Sequence, residues 1–276
     1  THGGLFVLVL GQGLTQMFSQ ESQMAIEVGQ TVSYSESSRD AELAVIDTSS
    51  STEDVVHTIP ASLLASREVI QHPDLPFAIL VKRFFPNAVL GRGENALATM
   101  GMGARVNVVE SPRVTSDDEV DNVSAFIEIV GDGKSQGVWL VSMGLGAPQT
   151  FVYKEKSYRL TLRTTRHYYP FSLRLNHFAH DKYPGTEIPK NFSSLLRLQD
   201  PSAGEDREVL IYMNHPLRYR GLTFYQASFG KGDRLSILQV VKNPVWITPY
   251  VACMLVCVGL AWQFLGHLGR FRRKAS

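Results

Sequence analysis

The sequence predicts a mainly β protein, either a β-sandwich or an open, barrel-like domain with a short helix, held between two transmembrane α-helices. Short segments rich in β-branched and aromatic residues recur through residues 21–244, separated by Gly, Pro, Asp, Asn or Ser. Uncharged apolar runs flank this region on both sides. A chain of 276 residues with 44% hydrophobic residues can bury a substantial core between them.

Charge and cysteine usage exclude several classes of protein. The formal net charge of +1 argues against a nucleic-acid partner, since Lys and Arg are offset by Asp and Glu. The two cysteines, Cys253 and Cys257, both lie in the C-terminal apolar run. They form neither a CxxC pair for thiol exchange nor a CxxCH site for covalent haem attachment. The chain is therefore neither a thiol oxidoreductase nor itself a c-type cytochrome.

The first element is the apolar run HGGLFVLVLGQGLTQMF at residues 2–18. Its length reaches the lower limit for a membrane span. A cleaved signal peptide is the alternative, but no basic region precedes the run and no A-x-A site follows it. Because the first residue is threonine and the run starts almost at once, we expect residues 1–20 to be a membrane helix whose start is truncated.

Residues 21–244 are expected to form one extracytoplasmic β-rich domain. A helix is predicted at residues 59–71, and GDG at 131–133 predicts a tight hairpin turn. The serine-rich stretches at 35–40 and 47–54 are typical of surface loops. The candidate strands are QTVSY, ELAVIDT, FAILVKRFF, ARVNVVE, SAFIEIVG, GVWLVSM, SYRLTLRTT, FSLRLNHF, EVLIYMN, LTFYQASF and LSILQVV.

The last element is a membrane helix over residues 245–268, beginning with the uncharged run VWITPYVACMLVCVGLAWQFL. At about 1.5 Å per residue this run spans roughly 32 Å, which matches a bilayer core. A buried core helix is the alternative. Residues 269–276 form a basic tail, so the positive-inside rule predicts a cytoplasmic C-terminus. Its cations are Arg270, Arg272, Arg273 and Lys274.

The segment NHPLRYRGLTFYQASFG at residues 214–230 precedes this helix. We expect a turn at Asn214, His215 and Pro216, followed by a strand that begins near Gly221. Glycine there supplies either a backbone angle that other residues avoid or room for another backbone. Apolar residues alternate onto both faces, with Gln226 among them, which predicts a largely buried strand. A central structural hairpin is the simplest interpretation of these residues.

The segment at 214–230 closely resembles a motif of the ResB family, also called CcsB, of cytochrome c biogenesis proteins. In that family an Asn-His-Pro-Leu turn and a Gly-aromatic-Tyr-Gln strand precede the last membrane helix. Three further stretches are each similar to a different part of the family pattern. They are HYYPFSLRLNHFAHDKYPGTEIPKNFSSLLRL at 167–198, HGGLFVLVLGQGL at 2–14 and VGQTV at 28–32. Residues 40–130 match no family pattern, and complete members carry further membrane helices before this region.

The resemblance implies a non-catalytic membrane subunit that helps to carry haem across a bacterial plasma or thylakoid membrane. Such a subunit presents haem or apocytochrome c to a CcsA/ResC-type haem ligase, and haem is bound transiently and jointly with that partner. The residues agree, since the sequence contains no nucleophile elbow, paired-carboxylate motif or phosphate loop. A membrane-anchored scaffold or sensor that binds no haem is the alternative, and an independent enzyme fits least well.

The resemblance also implies site residues. His2 matches a histidine at the cytoplasmic start of the helix before the large loop, which in the family is a haem axial ligand; an interfacial polar residue is the alternative. His267 is a weaker candidate that could approach His2. Arg218, Arg220 and Tyr225 are candidate contacts for haem propionates or a partner. The alternative is a solvated strand edge whose arginines extend their charged ends into water.

The other polar residues of the motif have structural roles in this interpretation. His215 is expected to stabilise its turn by hydrogen bonding, and Asn214, Pro216, Gly221 and Gln226 to shape the hairpin. No acidic or cysteine partner recurs at metal-site spacing near the other histidines, so haem iron is the only metal expected. Those histidines are His167, His177 and His180.

Overall fold

The computed structural model describes residues 2–115, 120–182, 185 and 189–275. It is mainly β, as predicted, and it divides into two compact units. The terminal unit comprises Thr1–Ser35 and Tyr168–Ser276, and the central unit comprises Glu36–His167. Both boundaries fall inside long strands, β2 (Thr31–Asp47) and β11 (Lys156–Lys182), whereas the sequence was interpreted as one domain over residues 21–244.

The helices are α1 (His2–Phe18), α2 (Ala61–Ser66) and α3 (Thr248–Ala275), with short 3-10 turns at Met102–Arg105 and Met143–Leu145. The strands are β1 (Gln20–Glu27), β2 (Thr31–Asp47), β3 (Val55–Pro60), β4 (Val69–Gln71), β5 (Ala78–Phe85), β6 (Ala88–Arg92), β7 (Val106–Glu110), β8 (Ser124–Gly131), β9 (Lys134–Ser142), β10 (Gln149–Tyr153), β11 (Lys156–Lys182), β12 (Pro189–Asp200), β13 (Glu205–Tyr212), β14 (Leu217–Tyr219), β15 (Leu222–Gly230) and β16 (Leu235–Lys242).

The terminal unit is an open barrel. Its strands follow the order β13-β12-β11-β2-β1-β16-β15-β14, and the two ends of this path approach each other. Tyr212, at the end of β13, bridges His215 just before β14. Ser194 on β12 donates a hydrogen bond to Gln226 on β15, across the same gap. Of the two predicted architectures, the barrel-like one is therefore confirmed.

The barrel buries one face of each strand. On β15, Leu222 and Phe224 are buried, whereas Tyr225 on the other face is exposed. The prediction that both faces of this strand are buried is therefore wrong, because the outer face of a single-walled barrel meets solvent. The buried side chains of this core are Met24, Ile26, Val32, Phe171, Leu173, Leu175, Phe178, Leu196, Leu198, Ile211, Leu217, Leu222, Phe224, Leu238 and Val240.

Two helices extend from neighbouring strands of the barrel. α1 ends at Phe18, two residues before β1, and β1 pairs antiparallel with β16 from Gln20↔Lys242 onwards. α3 follows β16, and its segment Thr248–Leu268 is the one helix in the described part of the chain long and apolar enough to cross a membrane. α3 continues to Ala275, so the predicted basic tail extends the helix instead of leaving it.

The two helices pack through glycine. A Cβ on Gly4 would lie 2.6 Å from Cγ2 of Val256 and 3.0 Å from the carbonyl oxygen of Ala252. A Cβ on Gly11 would overlap the side chain of Thr248. Glycine at these two positions lets the antiparallel helix backbones approach closely.

The central unit contains a four-stranded sheet in the order β4-β5-β8-β9 and a two-stranded sheet of β6 and β7. β3 pairs with β2, and β10 pairs with β11. The predicted hairpin turn is confirmed, because Gly131 pairs with Lys134 and the two residues between them have positive φ angles of 50° and 72°. The core includes a cluster of aromatic rings, in which Phe151 contacts Phe77, Trp139 and Tyr158.

Two local predictions are wrong. The helix predicted at 59–71 is only Ala61–Ser66, because strand pairing takes the apolar residues on either side. Ile59 pairs with Leu43 and Ile70 pairs with Ile79. The serine-rich stretch at 35–40 is part of β2 and not a loop.

Candidate functional site: a groove beside the NHPLRYRGLTFYQ hairpin

The segment at 214–230 folds into a hairpin with one more strand than predicted. β14 pairs with β15 from Leu217↔Phe224 to Tyr219↔Leu222, which leaves a two-residue connection. Its residues, Arg220 and Gly221, have φ angles of 47° and 76°, the pattern of a type I′ turn. No atom lies within 4 Å of a Cβ built on Gly221. Glycine is therefore needed here for its positive φ angle, and not to make room for a neighbouring atom.

The turn before β14 uses the asparagine and histidine of the motif. Tyr212 and His215 exchange backbone hydrogen bonds, and Asn214 between them has a φ of 63°. The imidazole of His215 stacks on the ring of Tyr212, with centroids 4.0 Å apart. Its Nδ1 lies 3.4 Å from the carbonyl oxygen of Met213, at the limit of a hydrogen bond. These contacts are of the kind expected of a turn-stabilising histidine.

The hairpin tip lies at the helix end of the barrel. Thr223 on β15 pairs with Val241 on β16, one residue before β16 ends. α3 starts at Thr248, shortly after that end. The Arg220-Gly221 turn is therefore level with the connection between the barrel and the candidate membrane helix.

A buried carboxylate organises this tip. Asp200, fully buried at the end of β12, accepts hydrogen bonds through Oδ2 from Tyr219 Oη at 2.8 Å and from Arg220 Nε at 2.6 Å. Burial raises the pKa of Asp200, but hydrogen bonds from Ser202, Tyr219 and Arg220 outweigh it and lower the pKa to about 2. The guanidinium of Arg220 is thus committed to an internal ion pair.

Gln226 joins three strands inside the barrel. Its Oε1 accepts a hydrogen bond from Ser194 Oγ on β12 at 2.6 Å, and its Nε2 donates to Ser236 Oγ on β16 at 3.1 Å. The two serine hydroxyls are 2.8 Å apart and fully buried. A half-buried amide with both ends satisfied fixes the position of β15 across the barrel.

Beside the hairpin lies a groove of about 380 Å³, which we call the hairpin groove. Arg218 lies on its wall with an exposed side chain, and among the described residues no hydrogen bond or ion pair engages its guanidinium. Tyr225 on the same wall is 40% exposed. The groove is lined by Phe192, Tyr212, Met213, Asn214, Pro216, Arg218, Tyr225 and Gln226.

The chemistry of the groove fits the edge of a haem or an extended peptide. Apolar and aromatic side chains suit a porphyrin face, and a free guanidinium suits a carboxylate such as a propionate. The groove volume is near the lower limit for ligand sites, so the groove could hold one edge of a haem but could not enclose the whole molecule. Of the three candidate contact residues, Arg218 and Tyr225 therefore lie together on the groove, while Arg220 belongs to the Asp200 pair.

His2 and His267 are not brought together. Gly4 of α1 lies against Ala252 and Val256 of α3, so His2 is level with about residues 256–258, near the middle of the Thr248–Leu268 span. His267 is roughly ten residues farther along α3, which corresponds to about 15 Å. Both side chains are exposed on the helix surfaces. His2 thus lies at mid-span depth of α3 and not at the end of that span.

The three histidines close in sequence on β11 do not form a cluster with a shared environment. His167 and His177 are exposed on β11, whereas the side chain of His180 is buried with its Nδ1 3.2 Å from Asp233. Tyr183 and Pro184 of the predicted Tyr-Pro-Gly turn lie outside the described residues. Sequence reasoning overlooked a different group, His57, His72 and Asp74, whose only local signal is the short word His-Pro-Asp at 72–74.

The fold and the site define a class of protein: an open β-barrel whose neighbouring strands lead into a packed helix pair containing a candidate membrane span. Residues 127–237 match the ResB-like family. This match confirms the resemblance found in the motif at 214–230.

Individual relatives agree with the family match. The chain is 36% identical over 103 residues to protein NrfI of Wolinella succinogenes, an alignment that covers 37% of this chain and 11% of that protein. It is 47% identical over 73 residues to the cytochrome c biogenesis protein CcsB of Synechococcus sp. strain CC9311, which covers 26% and 16%. For CcsB of Synechococcus sp. strain CC9605 the values are 37% over 78 residues, 28% and 17%. The chain spans less than a fifth of each of these relatives.

Proposed function

We propose that this chain is part of a non-catalytic membrane subunit for cytochrome c biogenesis, which helps to carry haem across the membrane. In this proposal it presents haem or apocytochrome c to a CcsA/ResC-type haem ligase. Support comes from the family match and from relatives named as cytochrome c biogenesis proteins. The observation that carries the proposal is the hairpin groove, with its free Arg218, on a barrel directly joined to a candidate membrane helix.

The proposed arrangement places residues 1–20 and 245–268 in the bilayer of a bacterial plasma or thylakoid membrane. Residues 21–244 are extracytoplasmic, and the basic residues 269–276 are cytoplasmic. Large apolar side chains project from both helices without protein neighbours, which is what lipid contact requires. Among the most exposed are Phe6, Val9, Met17, Met254, Val258, Trp262 and Phe264.

In the proposed mechanism, His2 provides an imidazole for haem iron within the membrane. Haem supplies the iron centre and the vinyl groups that the partner ligase would use. The residues of this chain would bind and orient haem: His2 would hold the iron from the helix pair, and Arg218 would attract a propionate at the helix end of the barrel. The Asp200 ion pair and the Gln226 cluster keep the hairpin groove in shape for that contact.

The first test is His2→Ala in the full-length protein expressed with its ligase partner. We expect less haem to copurify, by tenfold or more, with unchanged protein in the membrane, since one residue on an apolar helix contributes little to insertion. Added imidazole should partly restore the haem. His177→Ala, which removes an exposed imidazole from the barrel, is the matched control. Undiminished haem in His2→Ala would favour the scaffold or sensor alternative.

The second test separates the groove from the helix site. Arg218→Ala should weaken binding of haem or apocytochrome c and leave folding intact, because its guanidinium is exposed and unpaired within the described residues. Arg174→Ala, at another exposed arginine on β11, should change neither. Equal effects of the two substitutions on binding would remove the groove from the proposal.

The third test addresses topology. After replacement of Cys253 and Cys257 by alanine, a cysteine at Ser50 should react with an impermeant thiol reagent added from outside, and a cysteine at Ser276 should not. Ser50 is exposed in the loop after β2, whereas Ser276 lies outside the described residues. Labelling at Ser276 alone would invert the arrangement.

A further inference from the structure

His57, His72 and Asp74 form a cluster in the central unit that the proposed function does not use. Each residue offers one ligand atom, and these atoms all lie within 4.8 Å of one another. Across the described residues, no other group of three or more His, Cys, Asp or Glu side chains meets this condition. The cluster is thus the one place in that part of the chain where a metal ion could find three ligands.

Strand pairing brings the first histidine into position. His57 on β3 pairs with Val45 on β2 and points to the same side as the buried Ile59. The ring of His57 is half-buried, with its centroid 5.1 Å from that of His72. Two imidazoles at this distance, without a hydrogen bond between them, leave nitrogen lone pairs available to a shared cation.

A proline turn brings the carboxylate back onto the second histidine. His72 follows β4, and its carbonyl oxygen accepts a hydrogen bond from the backbone N–H of Leu75. Within this turn, Oδ2 of Asp74 lies 3.8 Å from Nδ1 of His72, and the Asp74 backbone N–H donates to the same Nδ1 at 3.3 Å. Because this bond uses the single lone pair of Nδ1, a metal ion bound there would replace the Asp74 N–H as the partner of Nδ1.

We propose that His57, His72 and Asp74 bind one divalent transition-metal ion of the Zn²⁺ type, with water as the fourth ligand. Two imidazoles and a carboxylate are a ligand set that tetrahedral zinc accepts. Zinc–nitrogen bonds of about 2.0–2.1 Å place tetrahedral ligands about 3.3 Å apart, so the ligand atoms must move closer by side-chain rotation. The side chain of Asp74 is 71% exposed and free to do so.

The site does not depend on haem handling, and its test uses the metal alone. The full chain is purified without a polyhistidine tag, stripped of metal and titrated with Co²⁺, whose visible absorption is strong only in four-coordinate sites. We expect one equivalent of Co²⁺ with intense visible bands, displaced by one equivalent of Zn²⁺. A wild-type spectrum without these bands, or bands that Zn²⁺ does not displace, would overturn the proposal.

Variants locate the ion. Asp74→Asn and His57→Ala should each weaken Co²⁺ binding by at least tenfold, whereas His177→Ala, at an exposed histidine far along β11, should bind like wild type. Because Asp74 is exposed, Asp74→Asn leaves the fold intact, which circular dichroism verifies. Wild-type affinity in both Asp74→Asn and His57→Ala would assign the ion elsewhere and overturn the proposal.

Discussion

The two units organise their cores differently, since one apolar cluster fills the barrel of the terminal unit and two separate clusters fill the central unit. The barrel of the terminal unit encloses polar side chains at fixed positions, with Gln226 bonded to Ser194 and Ser236 inside and Asp200 at one end. The core of the central unit contains packed aromatic rings, such as Trp139 and Phe151 with centroids 5.3 Å apart. Directional hydrogen bonds accept few replacements, whereas an apolar core accepts many side chains of suitable volume. The hydrogen-bonded positions of the barrel include Tyr219 and Gln226 of the motif at 214–230.

The largest expected effect tests the aromatic core. Trp139→Ala should lower the free energy of unfolding by about 3–5 kcal/mol, because the indole is 1% exposed and its removal leaves a cavity. Trp262→Ala, at a residue 82% exposed on α3, should change it by less than about 0.5 kcal/mol. Urea unfolding in detergent, followed by circular dichroism, measures both. Similar losses in the two variants would contradict the placement of Trp139 in the core.

The next effect tests the polar interior. Gln226→Leu should cost about 1–3 kcal/mol, since it leaves two buried serine hydroxyls without their amide partner. Gln239→Leu is the matched control on β16, where the amide contacts the exposed carboxylate of Glu21. Urea unfolding and the protease resistance of the barrel should both show a larger loss of stability in Gln226→Leu than in Gln239→Leu. A neutral Gln226→Leu would show that the barrel tolerates an apolar interior.

Acid should weaken both units through one carboxylate in each. The pKa of Asp200 is about 2, and hydrogen bonds from Ser49 and Lys156 lower the pKa of Asp47 in the central unit to about 2 as well. Both values lie below the ordinary 3.8, so the stabilisation is complete above about pH 4 and is lost as the pH falls towards 2.

The variants Asp200→Asn and Asp47→Asn should each flatten this acid dependence, which unfolding at about pH 5 and about pH 3 would measure. Asp200→Asn should have the larger effect, because Asp200 is fully buried and the side chain of Asp47 is 13% exposed. An unchanged acid dependence in both variants would locate the responsible groups elsewhere.

The smallest effect is expected at the hairpin tips, where the units are alike. Gly221 and Gly133 have φ angles of 76° and 72° with open space around a built Cβ. Valine at either position should therefore cost only the strain of the left-handed region, about 1–2 kcal/mol. Gly266→Ala, at a helical glycine with open space, should be neutral or slightly stabilising. A much larger loss at Gly221 alone would indicate a partner surface at that tip.

Local patterns predicted the strands and turns whose signal lies within a few residues. β5, β8 and β16 follow from their β-branched and aromatic residues, and the left-handed angles of Asn214 and Gly221 follow from residue type. β14 was overlooked because three residues carry no measurable periodicity. The helix at 59–71 was overextended because pairing with neighbouring strands, which periodicity does not encode, overrides local propensity.

The site was predictable only in part, because its contacts join distant residues. The sequence singles out Arg218 and Arg220 as equivalent, and only the fold separates them, since Asp200 lies within reach of one guanidinium. Likewise, no local pattern links His57 with His72, and the fold brings their ring centroids to 5.1 Å. The residue type determines which groups a side chain can bind, whereas the tertiary structure determines whether such a group lies within reach.

The pairing of β1 with β16 has a consequence for biosynthesis. Gln20 and its partner Lys242 are far apart in sequence, so β1 has no neighbour on that side until the residues between them have been synthesised. Until then the exposed strand edge is open to pairing with other chains. Pairing of β1 with β16 is thus expected late in the folding of the terminal unit, after the residues of the central unit have been synthesised.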